Sequence, residues 1–333
     1  MTKIRKTRLS ICIPTYNFGE FIGQTLQSII EQAGDEVEIV IGDGASTDNT
    51  KDIVSRYQAD FPSLTYRNFG RKGGVDLDIA KTVELARGDY CWLMSADDVL
   101  KPGAISRILS ELQFGHAIYL CNRTDCDRNL VEMAHRCWLS KKYDDSVFDF
   151  SDNAVLLEYL KSAQSLGALF SYLSSIIVRR EDWESMSNNE IFMGGNYAHA
   201  YKLFSIAKNG GKLKYIKESL VSARFYNDSF MSNGVARRFS IDLDGYQLLA
   251  DHLFSDEAVQ DAFKAVIRRE HKWYYFAGLA NKVTNRDEWD ELERKLRSYG
   301  YHPAKLYIAR KFGTSNRFMA FARYFRRTLL GWL

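Results

Sequence analysis

Tyr90-Cys91-Trp92-Leu93-Met94-Ser95-Ala96-Asp97-Asp98-Val99-Leu100 is an apolar run that ends on two adjacent carboxylates and leads into the turn-forming Lys101-Pro102-Gly103. A continuous apolar segment bounded by turn residues reads as a buried strand of a parallel sheet. Two like charges side by side repel, so this pair calls for solvent, for hydrogen-bond donors or for a cation. In open parallel sheets ligands bind outside the carboxyl ends of the strands, which is where this strand delivers its acids.

Upstream, strand-like and helix-like patterns alternate. Leu9 to Ile13 reads as a buried first strand, and Gly19 opens a helix with Phe21, Ile22, Thr25, Leu26, Ile29 and Ile30 at helical spacing. Val37, Ile39 and Ile41 supply a second strand. Ser46, Thr47 and Asp48 offer capping oxygens to a helix that runs to about Tyr57. Leu64 to Arg67 is a short third strand, followed by the glycine-rich Asn68-Phe69-Gly70-Arg71-Lys72-Gly73-Gly74. A further helix begins near Val75, carries Val75, Ile79, Val83 and Ala86 on one face, and is expected to end at Gly88 in a left-handed position. Such alternation predicts an α/β fold with a mostly parallel sheet flanked by helices.

Downstream the regularity weakens. Ala117 to Asn122, Ser171 to Arg179 and Lys214 to Ile216 read as strands, and Asn153 to Ser162 and Tyr197 to Lys208 as helices. From about Ile241 the pattern is helix after helix. The boundary is placed near Asn233-Gly234, giving a first domain over 1–233 and an α-helical C-terminal extension over 234–333.

With 333 residues, 46% of them apolar and 26% charged, the chain has the makings of a folded protein without long disordered tracts. A net charge of +3 is too small for a chain that coats nucleic acid, so no nucleic-acid partner is expected. The five cysteines, at 12, 91, 121, 126 and 137, are an odd set, two of them in expected core strands, which points to reduced thiols and a cytoplasmic location. Cys121, Cys126, His135 and Cys137 match no common zinc spacing. The basic start leads into a strand broken by Pro14 rather than a signal-peptide core, and the uncharged run Ser162 to Val178 is too polar and short to span a bilayer.

Three segments combine with the acidic pair: Pro14-Thr15-Tyr16-Asn17, Asp43-Gly44-Ala45-Ser46-Thr47-Asp48 and Gly88-Asp89-Tyr90. Together they point to a nucleoside diphosphate held through a divalent ion. In order and spacing they resemble the family 2 glycosyltransferases of the GT-A (Rossmann-like) fold, and Gly88-Asp89-Tyr90-Cys91-Trp92 with Ser95-Ala96-Asp97-Asp98 is most similar to bacterial O-antigen enzymes of the abequosyltransferase type. The resemblance covers about residues 8 to 225. It implies inverting transfer of a sugar from a nucleotide-sugar donor to a glycan or lipid-linked glycan acceptor in surface-polysaccharide synthesis.

The resemblance also implies roles. Pro14, Thr15, Tyr16 and Asn17 would meet the nucleoside, Asp43 and Ala45 would border it, and the Asp43 carboxylate would accept from base or ribose. Arg71, Lys72 and Gly74 would approach the diphosphate, with Asp76 in the following helical turn. Ser95, Ala96 and Asp97 would face donor and metal. Asp97 would bind Mg²⁺ or Mn²⁺, hard cations that suit oxygen ligands and neutralise a leaving diphosphate. The sequence departs from the family at Ser95, where the first acid of Asp-x-Asp stands. Each feature also has a plain structural reading: Pro14-Thr15-Tyr16 as a strand-ending turn, Asp43-Gly44 as a tight turn, the acids as caps.

An inverting transfer needs a group to take the acceptor proton, and the family supplies it from an acidic segment before a helix. The corresponding Met193-Gly194-Gly195-Asn196-Tyr197-Ala198-His199 contains no acid. His199 is therefore the expected base or second metal ligand, with Glu190 and Asp98 as the other catalytic candidates; a structural histidine is the competing reading. Ser171 to Ser175, Trp183, Phe225 and Tyr226 would line the acceptor side or simply pack. Residues 317–333 form a basic amphipathic pattern that would lie on an anionic membrane, placing the protein on the inner face of the cell membrane, or would pack on the body or a second copy in a homo-oligomer. The missing acid and Ser95 leave one alternative, a non-catalytic nucleotide-sugar-binding or membrane scaffold. Donor sugar, base, acceptor and linkage are not legible.

Overall fold

The structure, a computed structural model, describes residues 6–225, 235–280, 282–283 and 285–313. The expected helix over 317–333 lies outside the described residues. Contacts divide the chain into two units, Met1–Asn227 and Asp228–Leu333.

The first unit begins with β1 (Leu9–Thr15), α1 (Ile22–Ile30), β2 (Val37–Asp43), α2 (Thr50–Asp60), β3 (Leu64–Asn68), α3 (Val75–Glu84) and β4 (Tyr90–Leu93). It continues through β5 (Val99–Leu100), α4 (Ala104–Leu112), β6 (Ile118–Cys126), β7 (Glu132–Arg136), β8 (Ser146–Phe148), α5 (Asn153–Ser162), β9 (Ile176–Arg179), α6 (Arg180–Ser185), α7 (Ala198–Lys208) and β10 (Leu213–Arg224). The strands form one sheet in the order β3-β2-β1-β4-β9-β6-β10-β5, with β7 on β6 and β8 on β10.

The parallel order expected from the sequence extends over β3-β2-β1-β4. Beyond β4 the sheet is mixed: β9 runs antiparallel to both β4 and β6, while β10 is parallel to β6. Every residue of β2 and β4 is buried, as in strands covered on both faces, and β1 is nearly so. Register aligns Thr15 with Asp43 and Asp43 with Asn68, so three strand ends and their loops share one edge.

Helix α1 buries Ile22, Thr25, Leu26 and Ile29, the stripe read from its spacing. These side chains join Ile11, Ile13, Ile39, Ile41, Trp92, Ile105, Ile108 and Ile177 in a continuous core. Burying a side chain of this size is worth about 1.5–3 kcal/mol, so a cluster this large offsets much of the ordering entropy.

Several local expectations change. Gly88 does not adopt a left-handed conformation. A Cβ there would come within 2.6 Å of Ser10 Oγ and 2.8 Å of Ser10 N, so glycine is required by close approach to β1. The left-handed glycine lies at the other end of α3, at Gly74 (φ 85°). The strand expected over Ser171–Arg179 begins only at Ile176, after a 3-10 turn over Leu173–Ser175. The strand expected at Lys214–Ile216 runs twelve residues to Arg224, with register shifts between Ile216 and Val221. Strands β7 and β8 gave no period-2 signal, and β7 is exposed throughout.

The second unit is helical over α8 (Val235–Leu253), α9 (Glu257–Glu270), α10 (Tyr275–Ala280), α11 (Arg286–Ser298) and α12 (Pro303–Gly313). Asp256 caps α9 by accepting from the N–H groups of Ala258 and Val259, and Asn285 caps α11 through Asp287 N–H. Leu243, Tyr246, Phe263, Leu292, Leu296 and Leu306 are buried in this unit. Among the described residues no helix is long and apolar enough to cross a membrane.

Helix α3 approaches β2 closely at Gly42, where a Cβ would stand 2.0 Å from Thr82 Oγ1 and 2.8 Å from the Phe69 ring. Gly42→Ala is expected to cost about 1–3 kcal/mol in urea unfolding, as overpacking does. Adding Thr82→Ala should make the double variant less destabilised than the sum of the singles.

Candidate functional site

The loops after β1 and β2 are tied into one floor. Asn17, at φ 59°, donates its backbone N–H to Ser46 Oγ at 2.8 Å, and its side-chain oxygen accepts from Thr47 N–H at 2.7 Å. Ala45 is also left-handed, at φ 67°, a costly conformation for a residue with a Cβ. Gly44 N–H donates to Thr15 O at 2.9 Å, and Pro14 stands opposite Gly42 in the ladder. Gly19 N–H donates to Asp48 Oδ2 at 2.9 Å, so the entrance to α1 hangs from the same loop.

Asp43 is fully buried beneath this floor. Its Oδ1 accepts from Ser46 N–H and Ser46 Oγ, both at 2.7 Å, and its Oδ2 accepts from Tyr66 OH at 2.5 Å. Burial first, and then the Asp43 contact, push the Tyr66 hydroxyl up to about 12. Asp43 is thus a loop organiser at the end of β2.

The glycine-rich loop comes to the same edge. Lys72 Nζ lies 4.0 Å from the centroid of the Tyr16 ring, a cation over an aromatic face. Arg71 is exposed beside it. Behind them Asp78 is buried, with Cβ positions of Gly44 and Gly73 only 2.8 and 2.6 Å from its two carboxylate oxygens, so both glycines are needed for it to fit. Burial raises the Asp78 carboxyl above its ordinary value, against the pull of the Gly73 N–H.

The acidic pair divides its work. Asp98, 2% exposed, accepts at Oδ2 from Tyr172 OH and Ser174 Oγ, each at 2.5 Å, and at Oδ1 from Arg224 N–H at 3.1 Å. Burial and then the neighbouring Asp97 charge push its carboxyl up to about 7, against those donors. Asp97 Oδ1 accepts from Ser95 Oγ. Ser95 N–H in turn donates to Ser174 Oγ at 2.9 Å, and Ala96 O accepts from Thr25 Oγ1 at 2.9 Å.

Arg224, which the sequence reading passed over, closes this turn. Its Nε donates to Asp97 O at 3.0 Å, one terminal nitrogen to Gln24 Oε1 at 2.7 Å and the other to Arg128 O, and its guanidinium lies 4.8 Å from the Phe21 ring centroid. No spacing signal could have found it, since it stands on β10, 126 residues beyond Asp98. Arg123 is a second such residue: it lies 3.9 Å from the Tyr172 ring and donates to Asp125 at 2.8 Å.

Asp76, expected among the donor-site residues in the helical turn after the glycine-rich loop, does stand in the first turn of α3. It is 4% exposed and accepts from the N–H groups of Gly194 (2.9 Å), Asn196 (2.8 Å) and Ala198 (3.1 Å). Next to it His199 is buried, with Nε2 2.9 Å from Phe170 O. That contact makes Nε2 the protonated nitrogen, and Nδ1 is buried with no hydrogen-bond partner among the described residues. Burial lowers the imidazole's proton affinity, while Phe170 O and the Asp76 charge raise it. Glu190 is exposed in a 3-10 turn, Glu190–Phe192, that leads to this segment.

The acids can be tested against a hard cation from their own contacts. Asp98 is committed to three donors, so Asp97 is the carboxylate that a cation at the end of β4 would meet, with Ser95 as a weak oxygen neighbour. Among the described residues no group of three or more His, Cys, Asp or Glu side chains is arranged to hold a metal ion. The oxygen chemistry fits Mg²⁺ or Mn²⁺ with one protein carboxylate, the remaining ligands coming from a substrate's phosphates and water.

Residues 10–184 match the model of glycosyl transferase family 2. The chain is 34% identical over 313 residues to abequosyltransferase RfbV of Salmonella typhimurium, covering 92% of this chain and 93% of that protein. It is 31% identical over 127 residues to chondroitin synthase of Escherichia coli, 37% of this chain and 18% of that one. Among solved structures, S. aureus TarS 1-349 in complex with UDP-GlcNAc superposes with a TM-score of 0.64 at 15% identity, over 92% of this chain and 90% of that one. The mannosyltransferase PcManGT of Pyrobaculum calidifontis, in complex with GDP-Man and Mn²⁺, gives 0.54 at 16% identity, over 96% and 87%. The structural likenesses place the fold among glycosyltransferases of GT-A type. With the family model spanning more than half its length and a relative aligned along nearly all of it, this chain belongs to glycosyl transferase family 2.

Proposed function

We propose that the protein is an inverting transferase that moves a sugar from a nucleotide-sugar donor to a glycan or lipid-linked glycan acceptor in O-antigen or related surface-polysaccharide synthesis, on the cytoplasmic side of the membrane. The observation that carries this is the common edge of β1, β2 and β4. There a tied floor of backbone and the Tyr16–Lys72 stack adjoin a strand end that presents Asp97. The near full-length likeness to an abequosyltransferase supports the donor and acceptor classes. It favours an enzyme over a non-catalytic scaffold.

In this reading Pro14, Thr15, Tyr16, Asn17, Asp43 and Ala45 receive the nucleoside. Arg71 and Lys72 face the diphosphate, and Gly74 lets the chain turn towards it. Ser95, Ala96 and Asp97 form the rim below the donor sugar. A bound Mg²⁺ or Mn²⁺ on Asp97 supplies neutralisation of the charge that develops on the leaving diphosphate. The acceptor hydroxyl attacks the anomeric carbon, the bond to the diphosphate breaks, and the hydroxyl proton passes to a base.

We assign that base to His199. Its Nε2–H is held by a backbone carbonyl, which leaves the Nδ1 lone pair as the basic atom, and that atom has no hydrogen-bond partner among the described residues. Asp98 is committed to Tyr172, Ser174 and Arg224 and acts as a support. Glu190 is the exposed alternative.

A thermal-shift screen of UDP-, GDP-, CDP- and dTDP-sugars with Mg²⁺ or Mn²⁺ tests the donor site. The correct donor should stabilise by roughly 2.7 kcal/mol at a hundredfold excess over its dissociation constant. Asp97→Asn should abolish the metal-dependent part, and a chain that responds to no donor with either ion would refute the reading. Among base candidates, His199→Ala should lower turnover about 100-fold with donor affinity kept, while Glu190→Gln should stay within about threefold. The reverse pattern would move the base to Glu190. Arg224→Ala should cost about 3 kcal/mol in unfolding, because it leaves Asp97 and Asp98 without their buried cation. Arg224→Lys should recover only part, since a point charge cannot replace three directed hydrogen bonds.

A further inference from the structure

Asp76 stands in the first turn of α3, two residues after Gly74, so it is attached directly to the glycine-rich loop assigned to the donor diphosphate. Its carboxylate is bonded to a different part of the fold. Oδ2 accepts from Gly194 and Asn196, Oδ1 from Ala198, across 118 to 122 residues of sequence. The loop's own backbone bonds, Met193 N–H to Glu190 O at 3.1 Å and Gly195 N–H to Phe192 O at 3.2 Å, leave the amides of Gly194, Asn196 and Ala198 to Asp76. Gly194 (φ 87°) and Asn196 (φ 65°) are both left-handed, and helix α7, which begins at Ala198, has no side-chain cap of its own from Tyr197. The first N–H groups of a helix need an acceptor and favour a negative charge, and Asp76 supplies both from outside the helix.

This is also the segment in which the sequence lacks an acid before the helix, and the carboxylate beneath it now comes from α3. Asp76 is nearly inaccessible, and both of its oxygens are taken up by backbone N–H donors. Its position suits a strut. The residue carried by the strutted segment is His199, one place beyond Ala198.

We propose that Asp76 is a positioning residue that locks the 193–199 segment, and with it His199, to the donor-side helix, so that the groups on the two sides of the reaction are held in register. The kinetic part rests on the transferase reading above; the mechanical part does not. Loss of the strut therefore slows turnover while leaving nucleotide-sugar affinity intact, whereas a residue that bound the donor would change affinity, and one that served only overall stability would change neither at temperatures below unfolding.

Hydrogen exchange read by mass spectrometry on the full chain tests the lock without any substrate. In the wild-type protein the amides of Gly194, Asn196 and Ala198 should be protected, and in Asp76→Ala and the isosteric Asp76→Asn the 190–199 peptides should exchange about tenfold faster while peptides of β1, β2 and β4 stay unchanged. With the donor identified by the thermal-shift screen, both variants should keep its KM within about twofold and lose about tenfold in kcat, read as nucleotide release. Wild-type amides at 194, 196 and 198 that exchange like an unstructured loop would overturn the proposal even if neither variant folds. So would unchanged exchange in both variants, or a loss that appears in donor KM alone. Failure of every donor to bind the wild-type chain would instead refute the transferase reading and leave the exchange result standing.

Discussion

Asp97 and Asp98 are adjacent, and both are largely withdrawn from water. Carboxylates so placed repel each other and lose hydration, a cost of several kcal/mol unless it is met by donors or cations. The structure meets it asymmetrically. Asp98 takes hydroxyl donors from Tyr172 and Ser174 and a backbone donor from Arg224, and is still driven up to about 7. The Arg224 guanidinium closes over the Asp97 carbonyl and fastens the turn to Gln24 of α1. The turn that presents Asp97 is therefore fixed by groups drawn from α1, β10 and the segment before β9.

That constraint explains the change of character in the sheet at β4. On one side, β3-β2-β1 are parallel and joined by short helices, with β2 and nearly all of β1 buried, the arrangement that places loops at a common carboxyl edge. On the other, β9, β6 and β10 run in mixed directions and bring Tyr172, Ser174, Arg123 and Arg224 towards the acidic pair. The first half builds a floor from backbone and small residues. The second supplies the charged and aromatic side chains that hold the strand end.

The segment before α7 shows the same division. Its glycines and Asn196 allow a shape that no helix or strand would hold, and Asp76 of α3 holds it by three backbone hydrogen bonds. The imidazole of His199 is in turn set by Phe170 O, so its tautomer is fixed by a backbone group far away in sequence. Side chains and carbonyls distant in sequence thus fix the shape of this segment and the orientation of its imidazole.

By itself the sequence determined the alternation of strands and helices through β4, the helical nature of the C-terminal region and the placing of Asp43 and Asp97 at strand ends, because each rests on local periodicity and on turn residues close in the chain. It misread Gly88, whose need is contact with Ser10 rather than a left-handed turn, and it stopped β10 eight residues short because a bulged strand loses its period. Only the tertiary structure shows that Asp98 is bonded to Tyr172, Ser174 and Arg224, that Asp76 accepts from the amides of Gly194, Asn196 and Ala198, and that Arg224 donates to the acidic turn. These are pairings across roughly a hundred residues, and hydrogen-bond partners at that range leave no periodicity in the chain; they exist only once the sheet has brought the strand ends together.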